Sequence, residues 1–231
     1  MNLLALDTSS VACSVALQLE TGIFERHEEQ AREHTKLLVP MIRSLLAEAK
    51  LSTTDLDAVV LGIGPGSFIG VRIGTALAQG IAFGVELPVV PVSSLAAIAA
   101  QVFAEQDAAA VVVAQDAHLR EVYLGYYARG PDDLPVAIFA ERLHDQEPIA
   151  ELEDSGEGER VAAGCGWHQY PELFAANRDR VSHITDVLHP RARYLLALGS
   201  KKIDRNETVM PRDVVPAYLR QKVAAKPGGA S

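Results

Sequence analysis

Gly62-Ile63-Gly64-Pro65-Gly66-Ser67-Phe68-Ile69-Gly70-Val71-Arg72-Ile73-Gly74 is the stretch that decides how this chain is read. The apolar run that enters it, Asp57–Ile63, has the composition of a short buried strand. Residues 64–70 form a glycine-rich loop, and Val71–Phe83 recurs with helical period. Strand, glycine turn and helix also outline a phosphate loop, because glycine permits positive φ and a helix N-terminus favours anions. The residues do not supply that chemistry. A Walker loop needs Lys-Ser/Thr after its last glycine, and Ile69-Gly70-Val71 stands there instead. A dinucleotide fingerprint would need glycine at Ser67 or Phe68, and Glu86 is the best available ribose partner. On a helical wheel Gly70, Ile73, Gly74, Leu77, Ala78, Ile81 and Gly84 share one side. Gly74 and Gly80 lie inside the helix, each at a cost of about 1 kcal/mol relative to alanine. Close approach of another helix offsets that loss. The neighbour is either another helix of this chain or another subunit.

Working upstream, Asn2–Asp7 is a nearly continuous apolar strand. Cys13–Glu20 alternates, Thr21-Gly22 signals a tight turn, and Ile23–Glu28 is a third strand, so the fold opens with an antiparallel meander. Arg32–Lys50 has helical period through Leu37, Leu38, Met41, Ile42, Leu45, Leu46 and Ala49. Thr35 is its expected N-cap, and Pro40 sits near its first turn or bends it. Its apolar arc is wider than a sheet-packed helix needs, which suggests a second packing partner. Downstream, Leu87–Pro91 is a strand and Ser94–Glu105 a helix, giving βαβα organisation.

A second half opens near Ala108. Ala109–Asp116, Glu121–Tyr127 and Val136–Leu143 read as strands, and Glu147–Arg160 as an acidic, partly looped segment. Arg160–Cys165 is a strand, Tyr170–Ala176 a short helix and Arg191–Ile203 a longer one. Each half begins with strands and then adds helices. The expected division is an N-terminal lobe over 1–106, a C-terminal lobe over 107–222, and a disordered tail over 223–231 that includes Ala224–Ser231.

Composition narrows the class. The chain has 231 residues, 48% hydrophobic and 22% charged, enough for one large domain or two small ones. No apolar run reaches the roughly 18 residues of a membrane span. The N-terminus lacks a basic leader and a cleavage site, so a cytoplasmic location is expected. Cys13 and Cys165 form no CxxC pair and read as free core thiols. The net charge of −9 argues against unaided nucleic-acid binding, which draws its affinity from neutralising phosphates. The charge is uneven: residues 191–231 carry a net +6 and the first 190 residues −15. That tail is either a solvated surface segment or a patch through which a complex touches RNA.

Catalytic signals are sparse. No two of the seven histidines stand three or four apart, so no HxxxH or HExxH metal pair exists. No G-x-S-x-G nucleophile elbow is present. Asp7, followed by Thr8, Ser9 and Ser10, ends the first strand, and Asp116 ends the first strand of the second half. Such residues bind magnesium or cap their own turns. Placed at the mouths of two lobes, they mark a ligand cleft between them.

Leu4-Ala5-Leu6-Asp7-Thr8-Ser9, Arg32-Glu33-His34-Thr35, the Gly64–Phe68 loop with Gly70–Gly74, Asp116-Ala117 with Glu121-Val122-Tyr123, and Pro216-Ala217-Tyr218-Leu219-Arg220 fall in order along nearly the whole chain. Together they resemble the TsaB (YeaZ) family. The resemblance implies an α/β, actin-like and RNase H-like fold of two lobes, each a mixed sheet flanked by helices. It implies a subunit of the bacterial machinery that forms N6-threonylcarbamoyladenosine at adenosine 37 of tRNAs reading codons that begin with A. The catalytic relative, TsaD, carries an HxxxH metal pair. Here Ser93 and Ala97 stand at those positions, and neither replaces imidazole on a transition metal. The resemblance thus implies a non-catalytic scaffold without metal or cofactor. It would dock a TsaD-like subunit through its first two helices, at His34, Leu37, Leu38, Met41, Leu45, Gly70, Ile73, Gly74, Leu77, Ala78 and Ile81. A TsaE-like ATPase joins that pair, tRNA is reached only through the complex, and the same face could pair two copies. Ile69, His118 and Arg120 depart from the family's usual threonine, arginine and glycine. The competing readings are an actin-like ATPase using Asp7 and Asp116, and a peptidase, for which the sequence offers neither metal pair nor activated nucleophile.

Overall fold

The computed structural model describes residues 1–30, 33–152 and 158–220. Arg32 as a helix start, the middle of the acidic 147–160 segment and the tail from 223 lie outside the described residues.

Strands β1 (Leu3–Asp7), β2 (Ala12–Leu19) and β3 (Gly22–Glu29) form the expected antiparallel meander. Strand β4 (Ala58–Gly62) pairs parallel with β1, and β5 (Val89–Val92) parallel with β4, giving the order β3-β2-β1-β4-β5. β1 and β4 are buried along their full length, which is why both read as continuous apolar runs rather than alternating ones. The second sheet repeats the plan. β6 (Ala110–Asp116) and β7 (Val122–Arg129) are antiparallel, β8 (Pro135–Ala137) and β9 (Arg142–His144) both pair antiparallel with β7, and β10 (Arg160–Ala163) runs parallel with β6. The single strand expected over Val136–Leu143 is therefore two short ones. They part where Phe139 packs its ring on Tyr126 and Glu141 turns in to accept a hydrogen bond from the Tyr127 hydroxyl.

Helices α1 (His34–Ala49) and α2 (Phe68–Gly84) lie on one face of the first sheet and share its core with Leu4, Leu6, Val15, Leu17, Val59 and Leu61. The start of α1 is not capped by Thr35. Glu33 occupies the cap position without a side-chain bond, and Thr35 is already helical. α2 begins at Phe68, three residues before Val71, because the Ser67 hydroxyl accepts the Gly70 N–H at 3.2 Å and satisfies one of the open first-turn donors. α3 (Ser94–Glu105) is buried on nearly every side. Leu95, Ile98, Val102 and Phe103 pack on Val111, Val113, Tyr127 and Val161 of the second sheet, and Ala97 on the first. The outer face of the second sheet is covered by α4 (Gly166–Gln169) and α5 (Pro171–Asn177), around Trp167, whose indole N–H donates to the Val112 carbonyl at 3.0 Å.

The last helix, α6 (Ala192–Asp204), does not stay with the second sheet. Ala192, Leu195 and Leu196 pack on Leu3, Ala5, Ala16, Val60 and Val90 of the first. The chain then bridges Val89 to Val209 and places the Ala217 N–H on the Ile63 carbonyl at 2.9 Å. The boundary expected at residue 107 separates the sheets but not the lobes, since the first lobe is completed by residues from beyond 191. With that change, two mixed sheets of like topology flanked by helices make the actin-like, RNase H-like fold.

The return of α6 depends on strand side chains that cap its first turn in place of a local residue. Ser14 accepts the Ala192 N–H at 2.8 Å, and Glu25 accepts the Arg193 N–H at 3.3 Å and the Arg191 guanidinium at 2.6 Å. Glu25→Ala leaves that guanidinium unpaired and should lower stability by about 1–3 kcal/mol in urea unfolding. A change below about 0.5 kcal/mol would mean that the Glu25 contacts add nothing to the docking of α6.

Candidate functional site

The helix pair α1–α2 has an inner and an outer face, and the structure sorts the expected interface residues between them. His34, Leu38, Met41, Leu45, Gly70, Gly74 and Ala78 are buried within this chain. A Cβ on Gly70 would collide with the Thr8 carbonyl oxygen, and one on Gly74 would lie 2.5 Å from Thr8 Oγ1 and 3.4 Å from Leu6. The Thr8 hydroxyl donates to the Gly70 carbonyl at 2.7 Å. These glycines therefore let the helix backbone approach the β1–β2 turn of its own lobe, and they face the interior of this chain. Leu37, Ile73, Leu77 and Ile81 are half-buried and fill the edges of the same core.

The outer face of α2 is a different set. Ile69, Arg72, Ala76, Gly80, Phe83 and Gly84 are exposed. Ile69 is 70% and Phe83 78% exposed, and a Cβ on Gly80 or Gly84 would meet no atom of the described residues within 4 Å. Ala76, Gly80 and Gly84 stand four apart and form a stripe of small residues between apolar flanks. Val39, Pro40 and Arg43 are exposed on α1. The sequence wheel chose Gly70 and Gly74 because periodicity locates a face but not the side on which the sheet lies. The outward Gly80 was the available signal, since an interior glycine without an internal packing reason calls for an external one.

The two aspartates part company. Asp7 is buried and saturated: it accepts from the Ser9 N–H at 2.8 Å, the Ser9 hydroxyl at 2.7 Å and the Ser94 hydroxyl at 2.6 Å. Ser94 in turn accepts the Gly64 N–H at 3.1 Å. Asp7 thus ties β1 to the start of α3 and to the glycine-rich loop. His34 sits above this turn, with Nε2 donating to the Ser10 carbonyl at 3.0 Å. The other ring nitrogen, Nδ1, is buried and makes no hydrogen bond among the described residues, so no hydroxyl is paired with it as an activated nucleophile would be. Burial pushes the Asp7 carboxyl above its usual range, against the lowering effect of its three hydrogen bonds and of His34.

Asp116 does line a cleft. About 460 Å³ opens between the α2 N-terminus (Phe68, Ile69), the β6–β7 turn (Asp116, His118, Leu119), Tyr123, and the C-terminal strap at Tyr218 and Arg220. Thr8 and Asp7 do not line it. Asp116 accepts from Tyr170 at 2.7 Å and from the His118 N–H at 2.8 Å. His118, Leu119 and Arg120 all have positive φ, and Arg120 stands where the resemblance expects glycine. Arg220 holds this turn through the Ala117 carbonyl and Glu121, at 2.8 and 2.7 Å. Arg72 stacks on Phe68, 3.2 Å from the ring centroid, beside Tyr218. At the positions equated with the metal-binding histidines, Ser93 caps α3 and donates to Glu141, while Ala97 is fully buried. Among the described residues no group of three or more His, Cys, Asp or Glu is placed to hold a metal ion.

Two consequences are measurable. Gly74→Leu should fail to fold or lose more than about 3 kcal/mol, because no rotamer relieves contact with Thr8. A well-folded Gly74→Leu protein would contradict the inward placement. The folded state binds the Asp7 proton more tightly than the unfolded chain, so this group's stability is full below about pH 4 and declines as pH rises through the raised value. Relative to wild type, Asp7→Asn should therefore gain stability from pH 4 upward; a difference that stays flat would contradict a raised Asp7.

Residues 23–227 match the family model described as TsaD, tRNA N6-adenosine threonylcarbamoyltransferase. Escherichia coli tRNA threonylcarbamoyladenosine biosynthesis protein TsaB is 36% identical over 98% of this chain and 97% of its own. The Haemophilus influenzae protein of the same name is 37% identical over 98% and 96%. A solved structure titled YeaZ from Pseudomonas aeruginosa superposes with a TM-score of 0.84 at 36% identity, covering 94% of this chain and 99% of that one. A second, from the same organism and described as similar to peptidase YeaZ, gives 0.85 at 36% identity over 95% and 99%. Motifs, two-lobed topology and near full-length similarity agree, and the chain belongs to the TsaB (YeaZ) family within the group that the TsaD model describes.

Proposed function

We propose that this chain takes part in forming N6-threonylcarbamoyladenosine on tRNA as a non-catalytic subunit. It docks a TsaD-type catalytic subunit on the outer face of α1 and α2. The name shared by its curated relatives supports the pathway. The observation that carries the docking role is Gly80. It sits mid-helix, costs about 1 kcal/mol relative to alanine, and has no neighbour among the described residues that a side chain there would meet. Phe83, one turn beyond Gly80, and Ile69, at the other end of the helix, are both in the open, an arrangement that suits a covered surface better than a solvated one.

The chemistry of these residues supports an accessory role. Ser93 and Ala97 offer no metal ligand, Asp7 is consumed by its own turn, and His34 is buried with no hydroxyl on its Nδ1 among the described residues. An acidic chain reaches tRNA through its partner, in the cytoplasm where the modification is made. A TsaE-type ATPase joining the pair and self-pairing of the free chain remain parts of this reading.

Reconstitution of tRNA modification with purified components tests it. Omitting this chain should abolish product, and Gly80→Leu, which keeps the fold, should lower co-elution with the TsaD-type subunit and product formation by at least about tenfold. Full modification without this chain, or phosphate release by this chain alone, would overturn the accessory role.

A further inference from the structure

One short segment crosses the cleft from the first lobe to the second. Residues 216–220 belong to no helix or strand, and Ala217, Tyr218, Leu219 and Arg220 all line the cleft. The Ala217 N–H donates to the Ile63 carbonyl at 2.9 Å, at the entry to the glycine-rich loop. Tyr218 packs on Phe68 of α2 with ring centroids 6.1 Å apart, and the Arg72 guanidinium lies 5.3 Å from the Tyr218 ring. Arg220 then reaches the second lobe. Its guanidinium donates to the Ala117 carbonyl at 2.8 Å and pairs with Glu121 at 2.7 Å.

Both ends of this crossing are built to part. The backbone N–H groups of Val215, Tyr218, Leu219 and Arg220 meet no backbone carbonyl among the described residues, and the Val215 and Tyr218 side chains are exposed. A segment with few backbone bonds and exposed side chains opens well before the core does. The turn that Arg220 grips is strained. His118, Leu119 and Arg120 have φ of 59°, 54° and 62° in succession, the left-handed region that side chains disfavour. Such a run persists only where its surroundings hold it. Gln146 holds it from within its own lobe, through the Arg120 guanidinium and carbonyl at 2.9 and 3.2 Å. Arg220 holds its two flanks, Ala117 and Glu121, from the opposite lobe.

We propose that residues 216–220 are a latch over the cleft between the lobes. Fastened, the latch keeps the cleft at about 460 Å³; released at Arg220, it frees the 117–121 turn and opens the way to Asp116 and Tyr123. Release gives up the Arg220 contacts and relieves the left-handed run, so loss and gain oppose each other and a cleft occupant can shift the balance. The latch stands independently of the docking role.

Ile69 and Leu119 stand on opposite lips of the cleft and are 70% and 76% exposed. Spin labels on Ile69→Cys/Leu119→Cys, in a chain that also carries Cys165→Ser, read the lip separation by double electron–electron resonance; the remaining Cys13 is buried. Arg220→Ala should give a longer and broader distance distribution. Without labels, the same substitution should speed amide exchange across residues 117–121 by about tenfold, while the β6 amides keep wild-type protection. Wild-type lip separation together with wild-type exchange at 117–121 would overturn the latch. Equal loss of protection in β6 would also overturn it, by making the segment part of the folding core rather than a fastening over the cleft.

Discussion

The contact between the α2 backbone and the Thr8 turn fixes the rest of the arrangement. Gly70 and Gly74 bring the helix against the end of β1, where the Thr8 hydroxyl reaches the Gly70 carbonyl. A helix held there by two points four residues apart cannot rotate. Its inner face is committed to Leu6 and Leu61, and its outer face is committed to Ala76, Gly80 and Phe83. The same turn carries Asp7, which reaches across to Ser94 and so seats α3. One strand end therefore orients both the helix that looks outward and the helix on which the second sheet packs.

That dependence explains why the strand-end carboxylates, so suggestive in the sequence, do different work. Asp7 is drawn inside by three donors and becomes a structural tie. Asp116 remains at the rim of the cleft, held by Tyr170 and His118. A pair of equivalent positions in two related sheets need not make a pair in space. The fold repeats its topology while the second copy keeps its strand end open.

Much of the architecture was legible in the sequence. The meander, the βαβα order and the second set of strands follow from apolar runs and turn residues, and these signals are local. What was not legible is long-range. α6 returns to the first sheet because Ser14 and Glu25, far away in the chain, cap its first turn. Val136–Leu143 splits because Glu141 meets Tyr127 and Ser93 from other elements. The small-residue side of α2 was visible as periodicity, but its direction was not: the wheel sets Gly74 apart from Gly80, and only the contact with Thr8 shows that the Gly74 side is the internal one. Gly70, Gly74, Ala78, Leu38 and Leu45 are therefore internal to this chain, and the docking face proposed above is the opposite side of the same helices.

We propose that a partner sits on the outer side of α2. Ala76 lies in the middle of that side and its side chain is exposed. The alkylation rate of an Ala76→Cys protein, followed with and without the TsaD-type subunit, reads this directly, with the native Cys13 and Cys165 monitored as internal references. The account predicts that complex formation suppresses labelling at position 76 by at least about tenfold. Labelling that continues at the free rate in a demonstrably formed complex would contradict it.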